Sequence, residues 1–256
     1  MSFALYNEVG GLRFWRQDEI RLRNRIKDSL SDVVQTALLD MNQMWRFEEV
    51  DTPIIMPTAM LSCQDHIDDV FVLKSTIAGQ PHCLRAETTT GSYAIAEHLL
   101  VSTGMKAPFC VWTAGQSFRQ EKSDGATAAK LRFNAFYQLE FQCIYAKPFI
   151  DDNGKPQGTH APIPENLRLA LRDAVAKMTG LETRLVASDR LPGYAEETID
   201  IEVNWRSPTT DVKEWKEVCS TSIRTDFPEV PGQKPYRVFE VAFGLDRMLA
   251  VSQGSI

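Results

Sequence analysis

The sequence has no paired cysteines, no long apolar run and no basic leader. Its five cysteines are scattered and never form a Cys-x-x-Cys pair, which argues against a disulfide framework or a zinc ribbon and favours a reducing compartment. No stretch approaches the roughly 18 apolar residues of a membrane span, and the first residues lack the basic and apolar regions of a secretion signal. These absences predict a soluble cytoplasmic protein.

Basic residues are also fewer than acidic residues. The formal net charge is -6, with 34 acidic and 28 basic residues, which argues against non-specific coating of nucleic acid but allows a local basic face for an RNA stem. The four histidines are isolated, so no structural metal is expected. A chain of 256 residues with 43% hydrophobic content is long enough to bury a core, and we expect one domain spanning 1–256.

Hydrophobic periodicity predicts several helices. From Ile20 to Trp45, apolar residues recur at threes and fours, as in a long amphipathic helix. A strand-like stretch over 47–56 follows, and its Pro53 would be tolerated only at an edge or a bulge. The other predicted helices are Thr90–Ser102, Glu165–Thr179 with Gly180 as its left-handed cap, and a short helix from Leu245.

Strand-like runs outnumber the helices. The predicted strands are Val70–Lys74, His82–Arg85, Phe109–Thr113, Phe136–Tyr145, Thr183–Ala187, Thr198–Asn204, Glu217–Ser222 and Arg237–Ala242. The segment 149–164 is rich in proline and glycine and is predicted to be an inserted loop. Because the strict strand-helix alternation of a parallel sheet is absent, we predict an α+β fold with a mostly antiparallel sheet flanked by helices.

The most informative segment for function is a predicted hairpin with charges on one face. Its first arm ends in Ser117-Phe-Arg119-Gln-Glu121, and a polar loop through Asp124-Gly125 leads to the returning arm, residues 131–141. On its own this would be interpreted as an exposed hairpin with a surface ion pair. Together with the segments described next, it resembles motif 2 of class II aminoacyl-tRNA synthetases, a fold shared with biotin ligases.

The resemblance implies an ATP site on this hairpin. In the family, the residue matching Arg119 clamps the α-phosphate, the one matching Glu121 reads the adenine amine, and the one matching Phe136 stacks on the ring. Arg132 and Gln138 fall at nucleotide-binding positions of the same motif. Arginine suits the clamp because its planar fork holds phosphate oxygens bidentately, and positive charge near the developing oxyanions supplies most of the acceleration in phosphoryl-type transfer.

Two further segments match the family in the right order. Residues 238–249 form an apolar strand, a turn at Gly244 and a helix start bearing Arg247; this resembles motif 3, whose arginine contacts the γ-phosphate and adenine. The helix-strand unit over 20–53 resembles motif 1, which implies a homodimer, although a merely buried helix is a strong alternative for it. Arg119 and Arg247 are therefore the expected catalytic residues.

Within this class, the closest resemblance is to glycyl-tRNA synthetases. Residues 83–91, Cys-Leu-Arg-Ala-Glu-Thr-Thr-Thr-Gly, resemble the family segment Leu-Arg-Pro-Glu-Thr-Ala-Gln-Gly, and residues 215–227 resemble its Trp-x-Glu segment followed by Ala-Asp-Arg-x-Asp-Tyr. The resemblance implies glycine as the amino acid. The implied amino-acid-binding residues are Glu87, Thr88, Glu140, Arg224, Glu240 and Ala242.

The same resemblance implies that Glu217, with Glu240, holds Mg²⁺ carried by ATP, because magnesium favours hard oxygen ligands beside phosphates. Two departures bear on the substrate. Ala242 stands where the family has a serine that helps fix glycine, and the chain stops nine residues after Arg247, where such synthetases usually continue into an anticodon-binding domain. We therefore expect tRNA to be recognised through its acceptor stem, if tRNA is the acceptor.

Three functions remain open from the sequence. The first is an enzyme that adenylates an amino acid, glycine by resemblance, and transfers it to tRNA or a related acceptor. The second is a non-catalytic paralogue that serves as a regulatory or nucleic-acid-binding subunit. The third is a ligase that charges a carrier protein. Retention of Arg119, Glu121, Glu217, Glu240 and Arg247 favours the enzyme.

Overall fold

The computed structural model describes residues 5–7, 12–42, 44–61, 69–121, 130–147, 149–150, 156–157, 162, 164–189, 191–207, 211–233 and 235–252. Its helices are α1 Gln17–Met41, α2 Thr89–Ser102, α3 Pro164–Thr179 and α4 Leu245–Ser252, with a 3-10 turn at Thr58–Met60. No helix in these ranges is both long and apolar enough to cross a membrane.

The strands are β1 Leu5–Asn7, β2 Leu12–Phe14, β3 Arg46–Glu49, β4 Ile55–Pro57, β5 His82–Leu84, β6 Phe109–Phe118, β7 Ala135–Ala146, β8 Phe149–Ile150, β9 Pro156–Gln157, β10 Thr183–Ala187, β11 Ala195–Arg206, β12 Lys213–Arg224 and β13 Tyr236–Gly244. Seven of them form one sheet in the order β10-β11-β12-β13-β7-β6-β3. Every pairing in that sheet is antiparallel except that of β3 with β6. The predicted α+β class with a mostly antiparallel sheet is confirmed.

The large sheet has one apolar face. Leu139, Phe141, Val241 and Phe243 alternate along β7 and β13 and are fully buried, because successive residues of a strand point to opposite faces. They belong to one core with the apolar stripes of α1, α3 and α4. This core covers one face of the sheet, and the residues on the other face differ in character.

That other face is polar yet largely buried. Gln138, Glu140 and Gln142 on β7 alternate with the apolar residues, and all three are at most 8% exposed. The segment that leads into α2 covers them, since Thr88 donates to Glu140. Burying a carboxylate costs free energy unless it is paired, and the donors from Thr88 offset part of that cost.

The predicted helix over 20–45 is α1, shifted towards the N-terminus. Its start is capped by Glu19, whose carboxylate accepts the Arg16 amide at 2.9 Å. It ends before Asn42, which has extended dihedral angles and whose side chain accepts the Met44 amide at 2.9 Å. Trp45 therefore lies outside the helix, although it is 4% exposed and packs in the main core.

Two strand predictions require correction. The stretch 47–56 is not one strand, because β3 pairs with β6 whereas β4 pairs with β5 in a separate sheet; Pro53, which has no amide hydrogen, lies in the break. The run Val70–Lys74 is not a regular strand either. It lies beside β5, where Val72 and Cys83 form an isolated bridge, but the pairing does not continue into a regular ladder.

The remaining element predictions are confirmed with shifted ends. α2, α3 and α4 start within a residue of their predicted positions, and Gly180 has the left-handed φ of +66° expected of a helix cap. β6 and β7 extend beyond the predicted runs and form the hairpin. In the predicted loop over 149–164, β8 pairs with β9; most of the rest of that loop, and the hairpin tip over 122–129, lie outside the described residues.

Candidate active site

A cavity of about 620 Å³ opens on the polar face of the large sheet. Of the residues predicted from sequence, those that line it are Glu87, Arg119, Glu121, Arg132, Phe136, Gln138, Glu140, Glu217, Glu240, Ala242, Gly244 and Arg247. They come from the loop before α2, the β6–β7 hairpin, β12, β13 and the start of α4. The fold thus brings together segments that are far apart in the chain.

One part of the cavity is basic, and we call Arg119 and Arg247 its basic end. Arg119 follows β6 and is held by a hydrogen bond from its Nε to the Ala86 carbonyl at 3.1 Å. Its guanidinium lies 5.4 Å from the centre of the Phe136 ring. These contacts orient the arginine, and they leave its terminal nitrogens without a recorded partner among the described residues.

Arg247 occupies the first turn of α4. Its Nε donates to the Leu131 carbonyl at 3.2 Å, and its Nη1 lies 3.2 Å from a Glu217 carboxylate oxygen. Gly244 precedes the helix, and a Cβ added there would contact the Arg247 side chain at 3.5 Å, which is ordinary van der Waals contact. Arg247 is therefore fixed by contacts from the hairpin and from β12.

Glu121 and Arg132 form the outer rim of the basic end. Arg132 Nη1 lies 3.8 Å from a Glu121 carboxylate oxygen, and the Arg132 side chain is 54% exposed. The Glu121 amide donates to the Asn134 side chain at 3.0 Å. This contact joins the two arms of the hairpin below the tip and holds Glu121 at the cavity wall.

The deeper part of the cavity holds a carboxylate cluster, Glu87, Glu140 and Glu240. Glu140 is well satisfied: it accepts hydrogen bonds from the Thr88 amide at 3.0 Å, from the Thr88 hydroxyl, and from the Gln138 amide at 2.7 Å. Burial raises the pKa of Glu140, and Glu240 raises it further. The predicted residue Thr88 thus reaches the site through Glu140 instead of lining the cavity.

Glu240 is held even more tightly. Its Oε1 accepts from Arg224 at 2.7 Å, from Gln142 at 3.0 Å and from Thr89 at 3.1 Å. The cross-strand register places Glu240 next to Gln142 on β7 and next to Ser222 on β12. Sheet order alone therefore explains why it lies within the cluster.

Glu87 differs from its neighbours because one of its oxygens has no hydrogen-bond donor. Glu87 Oε1 is buried and lacks a hydrogen-bond partner among the described residues; the nearest cation, Arg224 Nη2, is 3.7 Å away. Burial raises the pKa of Glu87 to about 7; Arg224 opposes this, while Glu140 and Glu240 add to it. A buried carboxylate in this state favours a cationic ligand beside it.

Comparisons with known proteins bear on the fold of the chain. No protein-family profile matches the chain. It is similar to the glycine--tRNA ligase of Corynebacterium glutamicum, with 26% identity over 146 residues, and to that of Corynebacterium efficiens, with 26% identity over 155 residues. The matched region is 57% of this chain and 29% of each relative, so the chain matches less than a third of those relatives' length.

Solved structures extend the likeness to almost the whole chain. The cytoplasmic serine-tRNA ligase of Naegleria fowleri in complex with AMP superimposes with a TM-score of 0.68 over 94% of this chain and 50% of that chain, at 16% identity. The prolyl-tRNA synthetase of Giardia lamblia in complex with prolyl-adenylate gives 0.68 over 95% and 47%, at 13% identity. The chain has the class II aminoacyl-tRNA synthetase fold. The resemblance drawn from the three motifs is confirmed at the level of fold.

Arg224 does not occupy the position expected for an amino-acid contact in this cavity. Its side chain is fully buried and does not line the cavity. It bonds Asp226 and Glu240, both at 2.7 Å, and the Tyr194 ring covers it at 3.9 Å. Because these contacts enclose the guanidinium, Arg224 does not face a ligand. It orients the carboxylate of Glu240 through their hydrogen bond and lies outside the cavity lining.

The predicted magnesium ligands both line the cavity. Glu217 lies beside Arg247, and its side chain is 45% exposed, which suits an ion carried by ATP phosphates. Glu240 is 5% exposed, and its Oε1 already accepts hydrogen bonds from Arg224, Gln142 and Thr89. A magnesium site on Glu217 with Glu240 stays a prediction.

Sequence reasoning missed a buried arginine that supports Glu87. Arg85 is 2% exposed; it donates to the carbonyl and hydroxyl of Thr52 and, at 2.6 Å, to the Gln116 carbonyl. Its guanidinium crosses β6 at Gly115, where a Cβ would lie 2.2 Å from Nη2. Arg85 therefore anchors the loop that carries Glu87. A glycine inside a strand can mark such a close approach, but the predicted strand ended at Thr113, before Gly115.

A second group that sequence reasoning missed extends the cavity across β12 to β11. We call Ser188, Thr198, Ser220 and Ser222 the hydroxyl wall, and all four line the cavity. Ser220 and Ser222 lie within the motif-like segment 215–227, but their hydroxyls were not predicted to belong to the site, and Ser188 and Thr198 lie in no motif. Only the register of β11, β12 and β13 brings three of them into one patch.

Proposed function

We propose that the chain activates an amino acid with ATP to form an aminoacyl-adenylate and transfers the acyl group to tRNA or a related acceptor. One observation carries the proposal: a single cavity has arginines at one end and, at the other, a carboxylate cluster in which Oε1 of Glu87 has no hydrogen-bond partner in the described part of the chain. An aminoacyl-adenylate has its phosphate and its ammonium group at corresponding ends, so it matches this distribution of charge.

At the basic end, the substrate carboxylate oxygen forms a bond to the α-phosphorus while the bond from that phosphorus to pyrophosphate breaks. Arg119 stabilises the charge that builds on the α-phosphate oxygens. Phe136 and Arg247 line the same part of the cavity and enclose the adenine ring and the outer phosphates. Mg²⁺ bound to ATP would supply further positive charge beside Glu217.

At the carboxylate cluster, the substrate ammonium donates to Glu87, whose Oε1 has no hydrogen-bond donor among the described residues. Glu140 and Glu240 already accept several hydrogen bonds each, so they act chiefly by their charge. Glycine is the amino acid indicated by the motifs and by the similarity to glycine--tRNA ligases. A tRNA acceptor stem and a homodimer through the 20–53 unit follow from the same resemblance and are proposed with it.

ATP–pyrophosphate exchange with each of the twenty amino acids tests the adenylation step directly. We expect exchange above background for at least one of them, and we expect Arg119→Ala to reduce it by roughly 10²- to 10³-fold, as for loss of a donor to a developing oxyanion. Arg172→Ala is the matched control, because Arg172 lies on α3, which packs on the apolar face of the sheet, and its ion pair among the described residues is with its neighbour Asp173.

The results separate the competing functions. If folded protein of known oligomeric state supports no exchange with any amino acid, the adenylation proposal fails and a non-catalytic paralogue is favoured. If Arg119→Ala behaves like Arg172→Ala, the phosphate clamp is assigned to the wrong residue. When exchange is present, radiolabelled amino acid identifies the acceptor: label in RNA supports a synthetase, and label in protein supports a carrier-protein ligase.

A further inference from the structure

The cavity extends beyond its two charged regions. Past Glu240 it continues across β12 to β11, along the hydroxyl wall. Ala242 lies on the cavity side of β13 at the point where this extension begins and is paired with Ser220. Because the side chain at 242 is only a methyl group, nothing on β13 separates the carboxylate cluster from the hydroxyl wall.

The cross-strand register fixes the distances involved. Glu240 is opposite Ser222, and Ser222 is opposite Thr198. Opposed residues of antiparallel strands have Cα atoms about 5 Å apart, so Ser222 is one strand and Thr198 two strands from the cluster. A substrate whose ammonium group meets the cluster therefore has room for a side chain that points towards β11.

The hydroxyl wall presents mainly hydrogen-bond acceptors. Ser220 donates its proton to Asp200 at 2.8 Å, and Ser188 also bonds Asp200. A hydroxyl that donates to a carboxylate keeps its lone pairs available, so both serines face a ligand as acceptors. Thr198 and Ser222 share one hydrogen bond of 3.0 Å, which leaves one hydroxyl proton of that pair to donate and lone pairs to accept.

Asp200 strengthens this polarity. It is 8% exposed, and burial raises its pKa to about 6, with Glu217 adding to the shift. No lysine or arginine pairs with Asp200 among the ion pairs of the described residues. An apolar side chain here would cover hydroxyls without bonding them, at a cost of free energy, and an acidic side chain would be repelled by Asp200 and Glu240.

We infer that the hydroxyl wall is the side-chain subsite of the activated amino acid, and that the preferred substrate has a side chain that donates hydrogen bonds and is not glycine. This inference rests on the proposed adenylation activity. It departs from the glycine indicated by the motifs, because glycine would leave the extension past Ala242 without contact. Serine, threonine, asparagine, glutamine and lysine have the required donors.

The exchange assay with the amino-acid panel tests the inference against the proposed function. We expect one or more donor-bearing amino acids to have a kcat/KM at least about tenfold above that of glycine, alanine, valine or aspartate, the effect of one hydrogen bond to a buried partner. Glycine as the best substrate would overturn the inference and leave adenylation standing. No exchange with any amino acid would overturn both.

A pair of variants then tests the subsite itself. Thr198→Val keeps the shape of the side chain but removes its hydroxyl, and it should raise the KM of the preferred amino acid about fivefold to tenfold without changing the KM of ATP. Thr183→Val, on β10 outside the cavity lining, is the matched control for a threonine-to-valine change in a strand. A rise in the KM of ATP for every amino acid would mean that the wall binds the ribose, which would overturn the inference.

Ala242→Val keeps the test valid if Thr198→Val fails to fold. The larger side chain narrows the passage between the carboxylate cluster and the hydroxyl wall, so it should lower kcat/KM for the preferred amino acid about tenfold or more while changing glycine exchange less. Equal losses for glycine and for the preferred amino acid would contradict the assignment of the wall as a side-chain subsite.

Discussion

Replacing Glu87 with glutamine should stabilise the free protein and at the same time weaken amino-acid binding. In the folded protein, burial raises the pKa of Glu87 from its ordinary value of 4.5 to about 7. A shift of that size corresponds to about 3 kcal/mol of difference between folded and unfolded states. Glutamine has nearly the same shape but never ionises, so the variant avoids this cost.

The sign and the pH window follow from proton binding. The folded state holds the Glu87 proton more tightly than the unfolded state, so the free energy of unfolding falls as pH rises from about 4.5 to about 7. We expect Glu87→Gln to exceed the wild type by about 1 kcal/mol at pH 5 and by about 3 kcal/mol at pH 8. Asp200 and Asp246, whose carboxyl pKa values burial also raises, are present in both proteins and cancel in the difference.

Urea unfolding of both proteins at pH 5 and pH 8 measures the difference, with Glu229→Gln as a control at an exposed glutamate. In exchange assays, the wild-type KM for the amino acid should fall as pH rises through about 7, because the ionised Glu87 binds the ammonium group; the variant should have a higher KM without this dependence. A variant that is less stable than the wild type at pH 8 would refute the reasoning about Glu87.

Two further predictions concern the walls of the cavity. Gly115→Ala should destabilise the protein by about 1–3 kcal/mol, because the added Cβ would lie 2.2 Å from the guanidinium of Arg85, which is held by its hydrogen bonds. In the control Gly193→Ala the added Cβ meets nothing within 4 Å, so its urea midpoint should equal that of the wild type; equal midpoints for the two variants would contradict the predicted clash at Gly115. Phe136→Leu should raise the KM of ATP roughly threefold to tenfold but not that of the amino acid, and steady-state exchange kinetics in which both constants rise together would rule out a role confined to the nucleotide.

Elements whose pattern is complete within their own residues were predictable from sequence. The apolar stripe of α1 and the residues of β10 needed no knowledge of a partner. The stretches 47–56 and 70–74 have similar composition to true strands, but what they become depends on where β5 and β6 lie. Strand propensity predicts that a segment can form a β-strand, but it does not predict which sheet that strand joins.

The candidate site was predictable only where a motif carried it. Glu140 and Glu240 lie on the neighbouring strands β7 and β13. The hydrogen bond that joins these strands beside Glu140, from Gln142 to Glu240, spans 98 residues, and no local pattern predicts that the two strands pair. The enclosure of Arg224 by Tyr194 and Asp226 was equally hidden, because it depends on a loop packing back over β12. The predicted sharing of magnesium by Glu217 and Glu240 depends on register in the same way, because spacing in sequence does not place β12 beside β13.

The strand order also determines when the cavity forms during synthesis. β13 is the last of the described strands to be made, yet it lies between β7 and β12, and the hydrogen bond from Thr89 to Glu240 spans 151 residues. Until β13 is added, β7 and β12 each have an unpaired edge, which favours association with other chains. During synthesis, the chain can therefore associate with other chains between the emergence of β12 and the pairing of β13. Contacts of such long range are slow to form, which lengthens that interval.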